Sequence, residues 1–74
     1  MISPTEAIEI FNKEMKDSDE KALHVKDGGD VYFIVSSNPS VMGIPVVTKE
    51  GVFKFVGNLE SSSRKKFKDA PVVI

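Results

Sequence analysis

The densest group of chemically active side chains lies near the end of the chain, in the run SSSRKKFK at residues 61–68. Four of its residues are basic: Arg64, Lys65, Lys66 and Lys68. They could neutralise phosphates, while the serines donate hydrogen bonds and Phe67 stacks on a base. The same cations would also suit the last turns of a helix, because positive charge is favourable at the negative end of the helix dipole. Nucleic-acid binding is therefore one candidate function, and a helix that simply ends in cations is the other interpretation.

Catalytic and metal-binding chemistry has few candidates. The single histidine, His24, falls inside a predicted strand, and no spacing brings a nucleophile or carboxylate to it. One histidine without any cysteine leaves zinc only carboxylates as further ligands. The acidic residues of DSDE, with Asp27 and Asp30, lack the pattern of a calcium-binding loop. The glycines of DGGD precede a strand, not the lysine and helix of a phosphate-binding loop. We expect a non-catalytic protein that needs no metal and no cofactor.

Length and composition favour a small globular protein. The 74 residues predict one domain, 1–74, and the absence of cysteine excludes disulfides. The opening MISPTEAIEIF lacks the basic and apolar regions of a signal peptide, and no apolar run approaches the roughly 20 residues of a membrane span. We expect a soluble, cytoplasmic protein that does not bind membranes.

The formal net charge of −1 hides an asymmetry along the chain. Residues 1–30 carry eight acids and four lysines, a net charge of −4, whereas residues 31–74 carry six bases and three acids, a net charge of +3. Oppositely charged surfaces could dock a charged partner or a second copy of the chain, giving a homodimer. We favour the simpler interpretation, that both are solvated surfaces without a partner.

The elements that would position these residues begin with an amphipathic helix over roughly residues 4–16. Ser3 can cap it, Pro4 suits its first position, and Glu6 completes a capping box. Apolar residues follow at helical spacing, and we expect Ile8 and Phe11 to contact the core.

Two hairpins are predicted next. ALHVK and VYFIVSS, strands at about residues 22–26 and 31–36, flank the turn DGGD, and IPVVTK and VFKFVG flank Glu50-Gly51. Alternation along the last strand places Phe53 and Phe55 on the face that meets the first helix. Pro45 cannot donate to a ladder, so it marks a strand start or an edge.

A short helix that runs to about Lys68 follows, with Leu59 and Phe67 pointing inward and a cap at Asn58 or one of residues 61–63. The apolar tail Ala70–Ile74 could add a strand to this sheet or to a partner's sheet. We favour this chain's own sheet, because an exposed apolar strand promotes aggregation. The predicted fold class is α+β: an N-terminal helix packed on an antiparallel meander of about four strands, with a short C-terminal helix and an apolar tail. The other face of the sheet is left over, and we expect some part of it to be wet or covered by a partner.

Protein binding is the leading functional hypothesis. The loop SNPSVMG presents two apolar residues, Val41 and Met42, and methionine adapts to irregular binding surfaces. The loop could equally fold back on the core. Tyr32 is a third candidate contact residue.

The stretch GIPVVTKEGVFKFVG, residues 43–57, resembles the hairpin of small bacterial immunity-type proteins and of PepSY-like domains. Pro45, Lys49 and Gly51 match that pattern. The resemblance covers about a fifth of the chain. It implies a helix on an antiparallel meander and a small inhibitor or binding protein without catalysis. In size and composition the chain also resembles accessory proteins of bacteria and phages. The expected partner is thus another protein, with nucleic acid as the alternative.

Overall fold

The structure is a computed structural model that describes residues 1–18, 20–37, 43–56 and 61–74, with only the backbone of residues 61–64. Its elements follow the order helix, four strands, helix. They are α1 (Pro4–Glu14), β1 (Ala22–Asp27), β2 (Val31–Ser36), β3 (Ile44–Thr48), β4 (Phe53–Val56) and α2 (Ser61–Asp69). The strands form one antiparallel sheet in chain order, β1-β2-β3-β4, so the predicted α+β meander with two helices is confirmed.

Helix α1 begins as its sequence predicts. The Ser3 hydroxyl accepts a hydrogen bond from the Glu6 amide, and the Glu6 carboxylate accepts one from the Ser3 amide, each at 3.2 Å. This capping box satisfies two amides that a helix start leaves without partners. The helix ends two residues before the predicted boundary, where the Met15 amide donates to the Phe11 carbonyl at the C-cap.

The sheet register sorts side chains into two faces. On one face, Asp27, Tyr32, Val47 and Phe53 lie opposite one another across the four strands. On the other face, the corresponding row is Lys26, Phe33, Val46 and Lys54. Pro45 is the second residue of β3, and the ladder between β2 and β3 extends only to Val46. A proline nitrogen offers no donor there, so the prediction of a strand start is confirmed.

The main core lies between α1 and the first of these faces. Phe11 and Ala7 are fully buried against Val25, Tyr32, Ile34 and Val47. The Phe11 ring meets the Phe53 ring edge-on, with centroids 6.0 Å apart, and Ile8 packs at the margin. These contacts confirm the predicted core residues of α1 and the inward direction of Phe53.

Helix α2 covers part of the opposite face. The Phe67 ring meets Phe33 edge-on, with ring centroids 5.5 Å apart and an interplanar angle of 89°. Because Phe33 neighbours Tyr32 and Ile34 along β2, it points away from α1. Phe67 points inward as predicted, while Leu59 and Asn58 lie outside the described residues. This chain's own helix thus occupies part of the second face, which leaves the expectation for the rest of that face untested.

The tail joins this chain's own sheet. Val72 forms a bridge with Lys26 in the antiparallel sense, next to β1. The Asp27 amide donates to the Pro71 carbonyl at 2.9 Å, and the Val73 amide donates to the Val25 carbonyl at 2.8 Å. The tail therefore lies along the outer side of β1 and pairs with it through one isolated bridge, on this chain's own sheet as favoured from the sequence.

Candidate functional site

Two candidate contact residues, Val41 and Met42, fall outside the described residues. The third, Tyr32, lies in the core with 5% of its surface exposed. Its hydroxyl donates to the Ile2 carbonyl at 3.1 Å, and the Lys49 ammonium lies 3.9 Å from its ring centroid. Tyr32 therefore fastens the first residues of the chain to the sheet and offers almost no surface to a partner. Its position beside Ile34 on the α1 face is the signal that could have indicated this.

A lysine from β1 holds the basic helix α2 in place. The Lys26 ammonium donates to the Phe67 carbonyl at 3.0 Å and lies 4.8 Å from the centroid of the Phe67 ring. The Lys68 carbonyl is 3.5 Å from the same nitrogen. The last carbonyls of a helix lack intrahelical partners and carry the negative end of its dipole. Lys26 supplies both a donor and a positive charge to them.

Lys66 and Lys68 also lie in the last turn of α2, at the same end of the helix dipole. Lys65, Lys66 and Lys68 are exposed, and none of them forms an ion pair with another described residue. The side chain of Arg64 lies outside the described part of the chain. Three of the four predicted basic residues thus share the exposed surface of one helix.

Two grooves flank α2. The larger, of about 430 Å³, lies between the helix and the β1–β2 turn, and its lining is mixed in charge: Asp27, Gly28, Lys65, Lys66, Asp69 and Ala70. The smaller, of about 160 Å³, lies over the sheet, and there Lys66 is joined by Lys54 of β4. Lys54 was not predicted as part of the basic surface. Alternation placed it opposite the Phe53 face, but only the position of α2 brings it near Lys66.

The β1–β2 turn depends on close packing around Gly28. A β-carbon added there would lie 2.4 Å from Cε2 of Phe33, the ring on which Phe67 rests. The next residue, Gly29, has a φ of 92°, a conformation that side chains with a β-carbon adopt only with strain. The predicted glycine hairpin turn is confirmed, and it also shapes the wall of the larger groove.

An ion pair closes this turn from the α1 side of the sheet. The Lys49 ammonium donates to Oδ1 of Asp27 at 3.0 Å. The Gly29 amide donates to the same oxygen at 2.9 Å, and this bond, together with Lys49, lowers the pKa of Asp27 below its ordinary value. Burial is the largest single influence on the pKa of Lys49 and acts to lower it, but the interactions with Asp27 and Tyr32 together outweigh burial, so the pKa is raised. The pair joins the two hairpins, so it is a structural contact.

Four of the six exposed large apolar side chains among the described residues lie at the tail side of the sheet. Val72, Val73 and Ile74 are 56%, 42% and 43% exposed, and Leu23, in the β1 bulge, is 54% exposed. Leu23 precedes His24, whose Nδ1 lies 3.1 Å from the main-chain oxygen of Ile74. These four residues form one sheet edge, which we call the tail edge.

The two outer edges of the sheet differ in charge. The other edge, β4, carries Lys54, and a lysine on an edge strand is a common device against unwanted strand pairing. Residues 70–74, APVVI, carry no charged side chain. The tail edge therefore lacks this protection and offers both apolar side chains and main-chain groups.

Among the described residues, the fold brings together no further candidates for catalysis or metal binding. His24 contacts a main-chain oxygen, and no nucleophile or acid partner is joined to it in the described ranges. Within those ranges no group of three His, Cys, Asp or Glu side chains is placed to hold a metal ion. Neither described helix has the length and apolar character to cross a membrane. No protein-family model, curated protein or solved structure matches this chain.

Proposed function

We propose that the protein is a small non-catalytic protein-binding module that recognises its partner at the tail edge. It would serve as an adaptor, inhibitor or accessory protein, as the resemblance of the hairpin at residues 43–57 also implies. The observation that carries the proposal is that Leu23, Val72, Val73 and Ile74 are exposed at one edge, where residues 70–74 carry no charged side chain.

Strand addition is the binding mode that fits such an edge. A partner strand gains affinity from main-chain hydrogen bonds and specificity from alternate side chains. The tail pairs with β1 through Pro71 and Val73, so the amide and carbonyl of Val72 point outward, away from β1. Apolar side chains beside these groups would add burial at roughly 25 cal/mol per Å².

The test compares two aspartate substitutions at equally exposed apolar positions. Leu23→Asp alters the tail edge, whereas Val52→Asp alters the β3–β4 hairpin at the far side of the sheet, where Val52 is 57% exposed. The tagged full chain first identifies a partner by pull-down at low and moderate salt, and the partner's Kd is then measured for each variant. We expect Leu23→Asp to weaken binding about tenfold or more, and Val52→Asp to leave it within twofold. Equal effects of the two variants would contradict the proposal.

Nucleic-acid binding through α2 is the second candidate function. It is favoured by the three exposed lysines of α2 and by Lys54, which lines the smaller groove beside Lys66. Asp30 and Asp69 in the same grooves work against it by repelling phosphates. Binding of a mixed-sequence oligonucleotide should then fall steeply with salt and be abolished by Lys65→Glu with Lys66→Glu. An interface with an apolar centre depends far less on salt, which separates the two functions.

A further inference from the structure

The tail is held on β1 by few interactions. Three main-chain hydrogen bonds connect them: Asp27 to Pro71, Val73 to Val25, and Ile74 to Val25 at 3.4 Å. The side chains of residues 72–74 remain about half exposed, so burial adds little. By comparison, β1 and β2 align five residue pairs along their length. The His24 ring adds one further contact, to the main-chain oxygen of Ile74. The tail is therefore paired with β1 over a shorter length than β2 is.

A proline makes the tail an incomplete partner for β1. In an antiparallel ladder, the residues on either side of a non-hydrogen-bonded pair exchange bonds in both directions. Lys26 and Val72 form such a pair, so Asp27 and Pro71 should exchange two bonds. Pro71 accepts one from the Asp27 amide, but it has no N–H to return to the Asp27 carbonyl.

β1 is also longer than the strand that covers it. It spans six residues, Ala22–Asp27, whereas the tail contributes one bridge, at Lys26. An extended segment of five or six residues without a central proline could pair along more of β1 than the tail does. By contrast, a segment that paired with the outer side of the tail could bond to one residue in regular strand geometry, Val72, whose amide and carbonyl point outward.

We infer that residues 71–74 occupy the outer side of β1 only until the partner binds. An extended segment of the partner then displaces them and pairs directly with β1. The inference rests on the proposed function, because it concerns the same edge. The displacing segment has the chemistry of the residues it replaces, with β-branched apolar side chains such as valine and isoleucine. It lacks a proline opposite Asp27, so it can complete the ladder that Pro71 leaves incomplete.

The test uses the full chain and a synthetic probe, a capped peptide of six alternating valine and threonine residues. Amide hydrogen exchange is followed by NMR with and without the peptide. Displacement predicts faster exchange at the Val73 and Ile74 amides, which lose the Val25 carbonyl, and slower exchange at the Val25 amide, which gains a partner strand. Protection of the Val72 amide with Val73 unchanged would mean addition outside the tail. That result overturns the displacement but leaves the tail edge as a binding surface.

A disulfide lock provides the matched control. The chain has no cysteine, so Lys26→Cys with Val72→Cys introduces only this pair of thiols. Cα atoms of a non-hydrogen-bonded pair lie about 4.5 Å apart, within disulfide range. Reduced and oxidised forms share both substitutions, so their difference reports only the lock. We expect the oxidised form to bind the peptide at least tenfold more weakly than the reduced form.

Equal affinity of the two forms would overturn the inference, as would the absence of any amide response at millimolar peptide. In either case the comparison of Leu23→Asp with Val52→Asp still decides separately whether the partner binds at the tail edge. Failure of the displacement is thus distinguishable from failure of the proposed function.

Discussion

Replacing Lys26 by methionine should make the end of α2 open more readily while the main core stays intact. Methionine keeps most of the apolar stem of lysine but removes the ammonium that donates to the Phe67 carbonyl and lies over its ring. A hydrogen bond that involves a charged group contributes about 1.5–3 kcal/mol, and an exposed cation–π contact about 0.5–1 kcal/mol. Because the bond to Phe67 is only partly buried, we take about 2 kcal/mol as the combined loss.

That loss should appear first as local opening of α2. A change of about 2 kcal/mol corresponds to a roughly 30-fold larger opening constant, at 1.4 kcal/mol per factor of ten. Amide exchange in α2 should accelerate by that factor, for example at Ala70, whose amide donates to the Lys66 carbonyl. Amides of the buried strands β2 and β3 should change less, because α1 covers their other face.

Lys65→Met is the matched control, since Lys65 is an exposed lysine of the same helix without an ion-pair partner in the part of the chain that the structure describes. It removes the same charge and should change exchange in α2 by less than about 0.5 kcal/mol. If the two variants accelerate exchange equally, Lys26 does not hold α2, and the reasoning is refuted.

Two further predictions concern the β1–β2 turn. Gly28→Ala should lower the free energy of unfolding by about 1–3 kcal/mol, because the added β-carbon overlaps the buried Phe33 ring. Urea unfolding measures this change, and an unchanged midpoint would contradict the close packing of Gly28 on Phe33. Asp27 has a pKa lowered from its ordinary 3.8, so its contribution to stability is present above pH 3.8 and is lost as the pH falls through the lower, folded-state value. Asp27→Asn should therefore be less stable than the original chain at pH 7, and the gap should narrow below pH 3.8; a constant gap in urea unfolding would show that the carboxylate charge contributes nothing.

The local elements could be predicted from the sequence because their signals are short in range. The capping box of Ser3 and Glu6 needs only three residues of separation, and each hairpin is marked by glycine between alternating strands. The direction of Phe53 follows from strand alternation alone. These features depend on neighbours in the chain, so no knowledge of the tertiary fold was needed.

The position of α2 could not be predicted, because it depends on contacts distant in sequence. Phe67 rests on Phe33, 34 residues earlier, and Lys26 reaches the end of the helix across 41 residues. In the sequence, Lys26 is one more polar residue of an edge strand. Similarly, alternation with Ile34 indicates the face on which Tyr32 lies, but its contacts with Ile2 and Lys49 join residues that are distant in sequence.

In the fold, acidic residues of α1 and basic residues of α2 lie on opposite sides of the sheet. Helix α1 carries exposed Glu6, Glu9 and Glu14 on one side of the sheet, and α2 carries its exposed lysines on the other. The tail edge lies between these sides and has no charged side chain in residues 70–74. A strand bound there would therefore leave the outer surfaces of both helices free.

The tail edge and the basic helix are nevertheless connected through one residue. Ala70 closes the last turn of α2 by donating to the Lys66 carbonyl, and Pro71 already accepts from β1. Displacement of the tail must therefore pull on the end of α2, which Lys26 holds. Removing that ammonium would ease the displacement, since one of the contacts that oppose it is gone. Lys26→Met should thus bind the valine–threonine peptide more tightly than Lys65→Met. Equal affinities would mean that α2 and the tail move independently.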